Sequence, residues 1–171
     1  MSTPNRSIHR SVLIAAGVAL LVLLAGCGPL ATEGVRVEYR SDATYDVPAG
    51  DVLYVEASFD LAAFDLDEEA VRRAGLNWIP LGIRGESANA LGWITMAPPE
   101  APEGWEVRLW EIRVVREVPV GRSDAAAVSR VSATLRVDVP ESAYDLTRRV
   151  RARLAARSGG STTMSFLVAA R

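Results

Sequence analysis

From residue 35 onward most of the chain alternates apolar and polar residues one by one, the period of strands with a single buried face. Val35, Val37 and Tyr39 alternate with Arg36, Glu38 and Arg40, and a short extended piece, Thr44 to Val47, stops at the turn Pro48-Ala49-Gly50. Leu53, Val55, Ala57 and Phe59 form the next inward set. Between Asp60 and Gly75 the period changes. Asp65 or Asp67 is placed to cap a helix of about two turns, with Glu68 and Glu69 in its first turn, Arg72 and Arg73 in its last and Gly75 just beyond. An acidic cluster of this kind also suggests calcium, but the spacing lacks an EF-hand loop, and capping accounts for it.

Asn77 to Arg84 and Ala90 to Met96 are short apolar pieces carrying Trp78 and Trp93, with Gly85-Glu86-Ser87 as the connection between them. Pro80 confines the first piece to an edge or irregular strand. Ala97 to Gly104, with three prolines, is a stiff loop. The strand Trp105 to Val118 then shows a slip. Trp105, Val107 and Leu109 are apolar on odd numbers, whereas Trp110, Ile112 and Val114 are apolar on even ones. A bulge at Leu109-Trp110 lets both halves face one core, with Trp110 expected inside. After a loop at Gly121-Arg122-Ser123-Asp124, Val131, Ala133, Leu135, Val137 and Val139 give the cleanest alternation in the chain. Val150, Ala152, Leu154 and Ala156 follow it. A turn at Ser158-Gly159-Gly160-Ser161 then leads to Met164, Phe166 and Val168.

Seven to nine short strands and one small helix predict an all-β fold, an antiparallel two-sheet sandwich, with a small lipocalin-type barrel as the alternative. The last third resembles immunoglobulin-like or fibronectin type III-like domains: a strand ending Val137-Asp138-Val139-Pro140, then Tyr144, then a hairpin. Tyr144 stands where that family keeps a tyrosine corner, although further from its following strand, and the Cys and Trp signature of antibody domains is absent.

Ahead of the patterned region the chain is different. Arg6, His9 and Arg10 precede thirteen apolar or small residues, Val12 to Leu24. That run is shorter than the roughly 20 residues a membrane span requires, and it matches the h-region of a secretory signal peptide. The run closes on Leu24-Ala25-Gly26-Cys27, which resembles the lipobox of bacterial lipoproteins in all four positions. The alternatives are an uncleaved anchor, or an ordinary signal in which the Cys is incidental. The resemblance implies cleavage before Cys27, a diacylglycerol on its thiol and often an acyl chain such as palmitate on the new amino group. Residues 1–26 are then the signal peptide, 27–34 the lipidated Cys and tether, and 35–171 the sandwich domain. Gly28 stands where an Asp would mark inner-membrane retention in that family, so the outer membrane is the expected address in a Gram-negative source. Seven tether residues, Gly28 to Gly34, reach roughly 25 Å at most, which keeps the domain close over the headgroups.

Composition narrows the chemistry. A cut before Cys27 leaves 145 of the 171 residues, enough for one domain with its own core. The leader takes two of the nineteen basic residues and none of the twenty-one acids, so seventeen stand against twenty-one and the mature charge is −4. That balance argues against nucleic acid. All the basic residues are arginine and the single His lies in the leader, so the mature chain has no imidazole for a Ser-His-Asp or Cys-His mechanism. With its one Cys consumed by lipid it builds neither a disulfide nor a thiolate metal site. No cofactor and no catalytic residue is therefore assigned. Only Asp60, Asp65, Asp67, Glu68 and Glu69 are dense enough to supply a glycosidase-like carboxylate pair, and helix capping already claims most of them. The expected function is a lipid-anchored, non-catalytic binding or structural module. It would reach the membrane through Cys27 and hold an envelope protein or cell-wall polymer. The alternative is a carrier or carboxylate-dependent hydrolase for a small ligand or glycan. The candidate site for an anionic ligand is the row Arg149, Arg151 and Arg153, outward at alternate positions of one strand, for which Glu106, Glu111 or Asp138 on neighbouring strands are the expected structural partners.

Overall fold

The computed structural model describes residues 34–82, 85–117 and 128–171. Gly34–Arg171 forms one compact unit. The lipobox with Cys27, and the loop expected at residues 121–124, lie outside the described residues.

The described residues form ten strands: β1 (Val35–Glu38), β2 (Thr44–Val47), β3 (Val52–Asp60), β4 (Trp78–Pro80), β5 (Gly85–Asn89), β6 (Ile94–Met96), β7 (Glu106–Glu117), β8 (Val128–Asp138), β9 (Thr147–Ala156) and β10 (Ser161–Ala170). They make two packed open sheets, ordered β1-β3-β8-β7-β5-β4 and β2-β10-β9-β6. The architecture is a two-sheet sandwich, and the barrel alternative is set aside because neither strand order closes on itself. Every pairing is antiparallel except two at the outer edges, where β1 runs parallel to β3 and β2 parallel to β10.

The alternation decides what fills the interior. Leu53, Val55, Ile112, Val114, Val131 and Leu135 from the larger sheet meet Ile94, Val150, Leu154, Met164 and Phe166 from the smaller, all essentially inaccessible to solvent. Each such side chain contributes about 1.5–3 kcal/mol by leaving water, offset by the entropy of ordering the chain. An aromatic chain crosses between the layers: Phe64 to Phe59 at 5.8 Å, Phe59 to Tyr39 at 6.3 Å, Tyr39 to Phe166 at 6.4 Å and Phe166 to Tyr45 at 5.8 Å. Two of its members also fix the crossing from β1 to β2. The Tyr45 hydroxyl donates to the Glu38 carbonyl at 2.8 Å and accepts from the Arg40 N–H at 2.7 Å, while the Tyr39 hydroxyl accepts from the Ser165 N–H at 3.2 Å. Tyr144 has no such part, since it is 71% exposed.

After β3 a 3-10 turn, Leu61–Phe64, drops Phe64 into the core, and the short helix α1 (Glu68–Arg73) follows. Asp67 is its cap, accepting from the Ala70 N–H at 2.6 Å. Asp65 instead ends the 3-10 turn in the left-handed region at φ 52°, a conformation short polar side chains tolerate. Gly85-Glu86-Ser87 is not a connection but the start of β5, hydrogen-bonded between β4 and β7. Its backbone lies so close to β7 that a Cβ on Gly85 would sit 1.9 Å from the Arg116 carbonyl oxygen. A glycine that signals a turn here permits close approach of two strands. Pro80 does lie in an edge strand, β4.

Candidate functional site

The outward row of β9 forms as the alternation requires: Arg149, Arg151 and Arg153 are exposed while Val150, Ala152 and Leu154 between them are buried. Their partners differ from those expected. Glu106, Glu111 and Asp138 belong to the other sheet, where they pair with Arg108, Arg113 and Arg136. The acids facing the β9 row come from connections instead. Arg149 Nη1 donates to Asp42 Oδ1 at 2.5 Å and to Ser165 Oγ at 3.0 Å, and Arg151 reaches Glu100 at 3.4 Å. Arg153 meets only the Ser161 hydroxyl, at 2.9 and 3.2 Å, with no acid within ion-pair distance among the described residues. Arg149's hydrogen bond holds the Asp42 carboxyl below the usual carboxylate range.

Beside this row is an open depression of about 510 Å³, walled by Ala101 and Pro102 and bordered by Arg148, Arg149, Arg151 and Glu100. Glu100 and Arg151 exchange both backbone hydrogen bonds at 2.9 Å. Antiparallel alternation therefore turns the N–H and C=O of Arg149, two residues back, toward the same edge, where Pro102 offers no N–H in return. The depression combines guanidinium groups with free strand edge, a combination suited to carboxylate or phosphate.

The second feature lies on the outer face of the larger sheet. Leu109 pairs with Leu135 and Glu111 with the next residue back, Thr134, so Trp110 is the extra residue of a bulge. Val107, Ile112 and Val114 are buried, and Leu109 packs on the core. Trp110 itself points outward and is 52% exposed, contrary to the inward position expected for it. The inner place opposite Leu135 is filled by Leu109, and the outer face supplies the indole with polarised neighbours. Arg136 lies 5.4 Å and Arg108 5.9 Å from the ring centroid, and Tyr54 meets it edge-on at 5.8 Å. Arg36 covers Tyr54 in turn at 4.8 Å. Arg36, Tyr54, Arg136 and Arg108 are register partners in one transverse row over four strands.

The ring lines a groove of about 260 Å³ whose apolar lining also includes Ile79 and Leu91, both well exposed. Its polar lining is Ser87, Asn89 and the ion pair of Glu111 with Arg113. Asn89 Oδ1 accepts from the Leu91 N–H at 2.9 Å, which fixes the amide and leaves its NH₂ for a ligand. The alternation of β7 displays this feature as a phase slip, but alternation alone is equally satisfied with Leu109 or Trp110 as the odd residue.

The acidic cluster offers no such convergence. Asp67 caps α1, Glu69 pairs with Arg72 and Arg73, and Asp60 lies 3.8 Å from Arg130. Trp78 and Trp93 pack partly buried against the core. Comparison with known families finds no family model that matches the chain, and no curated protein matches it.

Proposed function

We propose that the chain is a lipoprotein of the bacterial envelope, exported by residues 1–26, anchored through lipid on Cys27, and working as a non-catalytic binding module with an immunoglobulin-like body. Its arginine face holds an anionic envelope partner, a protein or a cell-wall polymer, close to the membrane. The observation that carries the reading is the tetrapeptide Leu24-Ala25-Gly26-Cys27 closing a short apolar run behind a basic stretch. The β9 face supports the binding half: among the described residues Arg153 has no acid beside it, and Arg149 and Arg151 hold theirs at exposed positions. A tether of roughly 25 Å keeps the domain within a few Debye lengths of anionic headgroups or wall polymer. A carboxylate-dependent hydrolase is the weaker reading, because three of the five acids it could draw on, Asp60, Asp67 and Glu69, are engaged in capping and ion pairs.

Intact mass of the membrane-extracted protein tests the anchor. The expected species begins at Cys27 and carries diacylglycerol; a chain retaining residues 1–26, or an unmodified Cys27, refutes it. Exchanging Arg149, Arg151 and Arg153 together for Gln tests the binding face. Salt-sensitive sedimentation with anionic vesicles or cell-wall material should fall, while the melting temperature drops only by the small amount that loss of exposed ion pairs brings. No sedimentation by the unmodified protein at low salt refutes the binding half.

A further inference from the structure

We infer that the groove beside Trp110 is a glycan subsite that takes a neutral, N-acetylated pyranose. It stands apart from the arginine row of β9 and is independent of the anchor proposed above. Sugar rings present two kinds of surface, a face of C–H groups and a rim of hydroxyls, and a site for them needs a flat aromatic ring beside groups that both donate and accept hydrogen bonds. The groove has both. Trp110 is held from one side by Arg136, which is itself anchored to Asp138 by contacts of 2.6, 3.0 and 3.2 Å, and from its edge by Tyr54. An indole fixed this way, with half its surface open, presents a stacking platform that loses little freedom on binding.

The hydrogen-bonding groups follow from the pleat. Asn89 and Arg113 are register partners, and Glu111 precedes Arg113 on the same face of β7. Asn89 donates through its amide NH₂, Arg113 through its guanidinium, and Glu111 accepts. Ser87, only 3% exposed, adds a hydroxyl to the lining. Glu111 and Arg113 cancel in charge, so the groove favours an uncharged ligand, unlike the depression beside β9. Ile79 and Leu91 give this polar groove an apolar wall. An acetamido substituent matches that combination, with its methyl against the wall and its amide among the polar groups. At about 260 Å³ the groove is smaller than the roughly 300 Å³ at which drug-sized pockets begin, which suits one sugar unit of a chain running past.

The test is titration calorimetry of the full chain in detergent with two soluble probes, the β-1,4-linked tetramer of N-acetylglucosamine and the tetramer of glucose with the same linkage. The acetylated tetramer should bind, and bind more tightly than the glucose tetramer. Trp110→Ala should weaken it about tenfold or more, as loss of an aromatic anchor does, and the double exchange Ile79→Ala with Leu91→Ala should erase the preference for the acetylated probe. Arg151→Gln, on the other sheet, should leave the affinity unchanged. Circular dichroism of each variant establishes that it is folded, and Trp110→Phe, which keeps an aromatic platform, should recover most of the binding. No binding of the acetylated tetramer at millimolar concentration, or binding unaffected by Trp110→Ala, overturns the subsite. Equal affinity for the two tetramers overturns the assignment to an N-acetylated sugar.

Discussion

Removing one residue from the middle of a strand ordinarily turns half of its side chains to the wrong face, because the period is two. Trp110 should be an exception. It is the extra residue opposite the Leu135–Thr134 step, so deleting it leaves Val107, Leu109, Ile112 and Val114 inward and Arg108, Glu111 and Arg113 outward in uninterrupted alternation. The losses are the edge-on contact with Tyr54, about 0.5–1.5 kcal/mol, and two exposed cation–π contacts, about 0.5–1 kcal/mol each. A regularised ladder returns about 0.5–1.5 kcal/mol per hydrogen bond gained. The net cost of the deletion is therefore about 1–2 kcal/mol. Deleting Thr134, on the same rung of β8, gives the contrast. Register is lost against both β3 and β7, Leu135 and Val137 turn outward at about 1.5–3 kcal/mol each, and Arg136 is driven toward the core. Together these rival the whole stability of a domain, about 5–15 kcal/mol. Urea denaturation followed by circular dichroism reads both variants. The chain lacking Trp110 should unfold cooperatively with nearly the native slope, and the chain lacking Thr134 should show no cooperative transition. If deleting Trp110 costs more than about 4 kcal/mol, or leaves the chain unfolded, then Trp110 is not a dispensable bulge residue and the register argument for β7 fails.

Two further variants probe local geometry and charge. Gly160→Ala should destabilise by about 3 kcal/mol or more, since its Cβ would lie 2.0 Å from the carbonyl carbon and oxygen of Phe64. Gly159→Ala meets nothing within 4 Å and should cost only the strain of φ 106°, about 1 kcal/mol; equal thermal shifts for the two would refute the steric account. Asp42→Asn concerns pH. The folded-state pKa of Asp42 is lowered chiefly by the Arg149 hydrogen bond, so its contribution is complete above the unfolded value and is lost as pH falls through the folded one. Melting curves of the native and Asp42→Asn proteins should therefore differ at neutral pH, and the difference should shrink as pH falls below the ordinary carboxylate value; a difference that does not shrink on acidification would assign the effect to something other than this ion pair.

What the sequence makes legible is the alternation, and through it the interior. Leu53, Val55, Val131, Leu135, Val150 and Phe166 all lie where a period of two puts them. Direction of pairing is not carried by alternation, since an inward residue stays inward whichever way its neighbour runs. Nothing in Val35–Glu38 or Thr44–Val47 therefore announces that both pair in parallel. β5 escapes because Gly85-Glu86-Ser87 has turn composition, while the condition that makes it a strand, close approach to the Arg116 backbone, is a tertiary fact. Trp110 is the same kind of case. The slip is visible in β7, but only packing against Leu135 decides which of two apolar neighbours is turned out.

The two outer faces show why charge could be counted in advance and its use could not. On the larger sheet the acids lie in the strands themselves. Arg136 is held bidentately by Asp138, Arg36 pairs with Glu56, and Arg108 lies between Glu106 and Asp138, so the face is neutralised from within. What it leaves exposed is an uncharged indole. On the smaller sheet β9 contributes three cations and no acid to its outward row, and the acids opposite Arg149 and Arg151 overhang from the connections at Asp42 and Glu100. Exposed pairs of that kind are worth about 0–1 kcal/mol and weaken with salt. A polyanion can therefore displace Asp42 and Glu100 at little cost, whereas displacing Asp138 from Arg136 would break a bidentate contact in a half-buried site. The chemistry we propose differs accordingly: salt-sensitive capture of anions for the β9 face, and salt-insensitive stacking of neutral rings for Trp110.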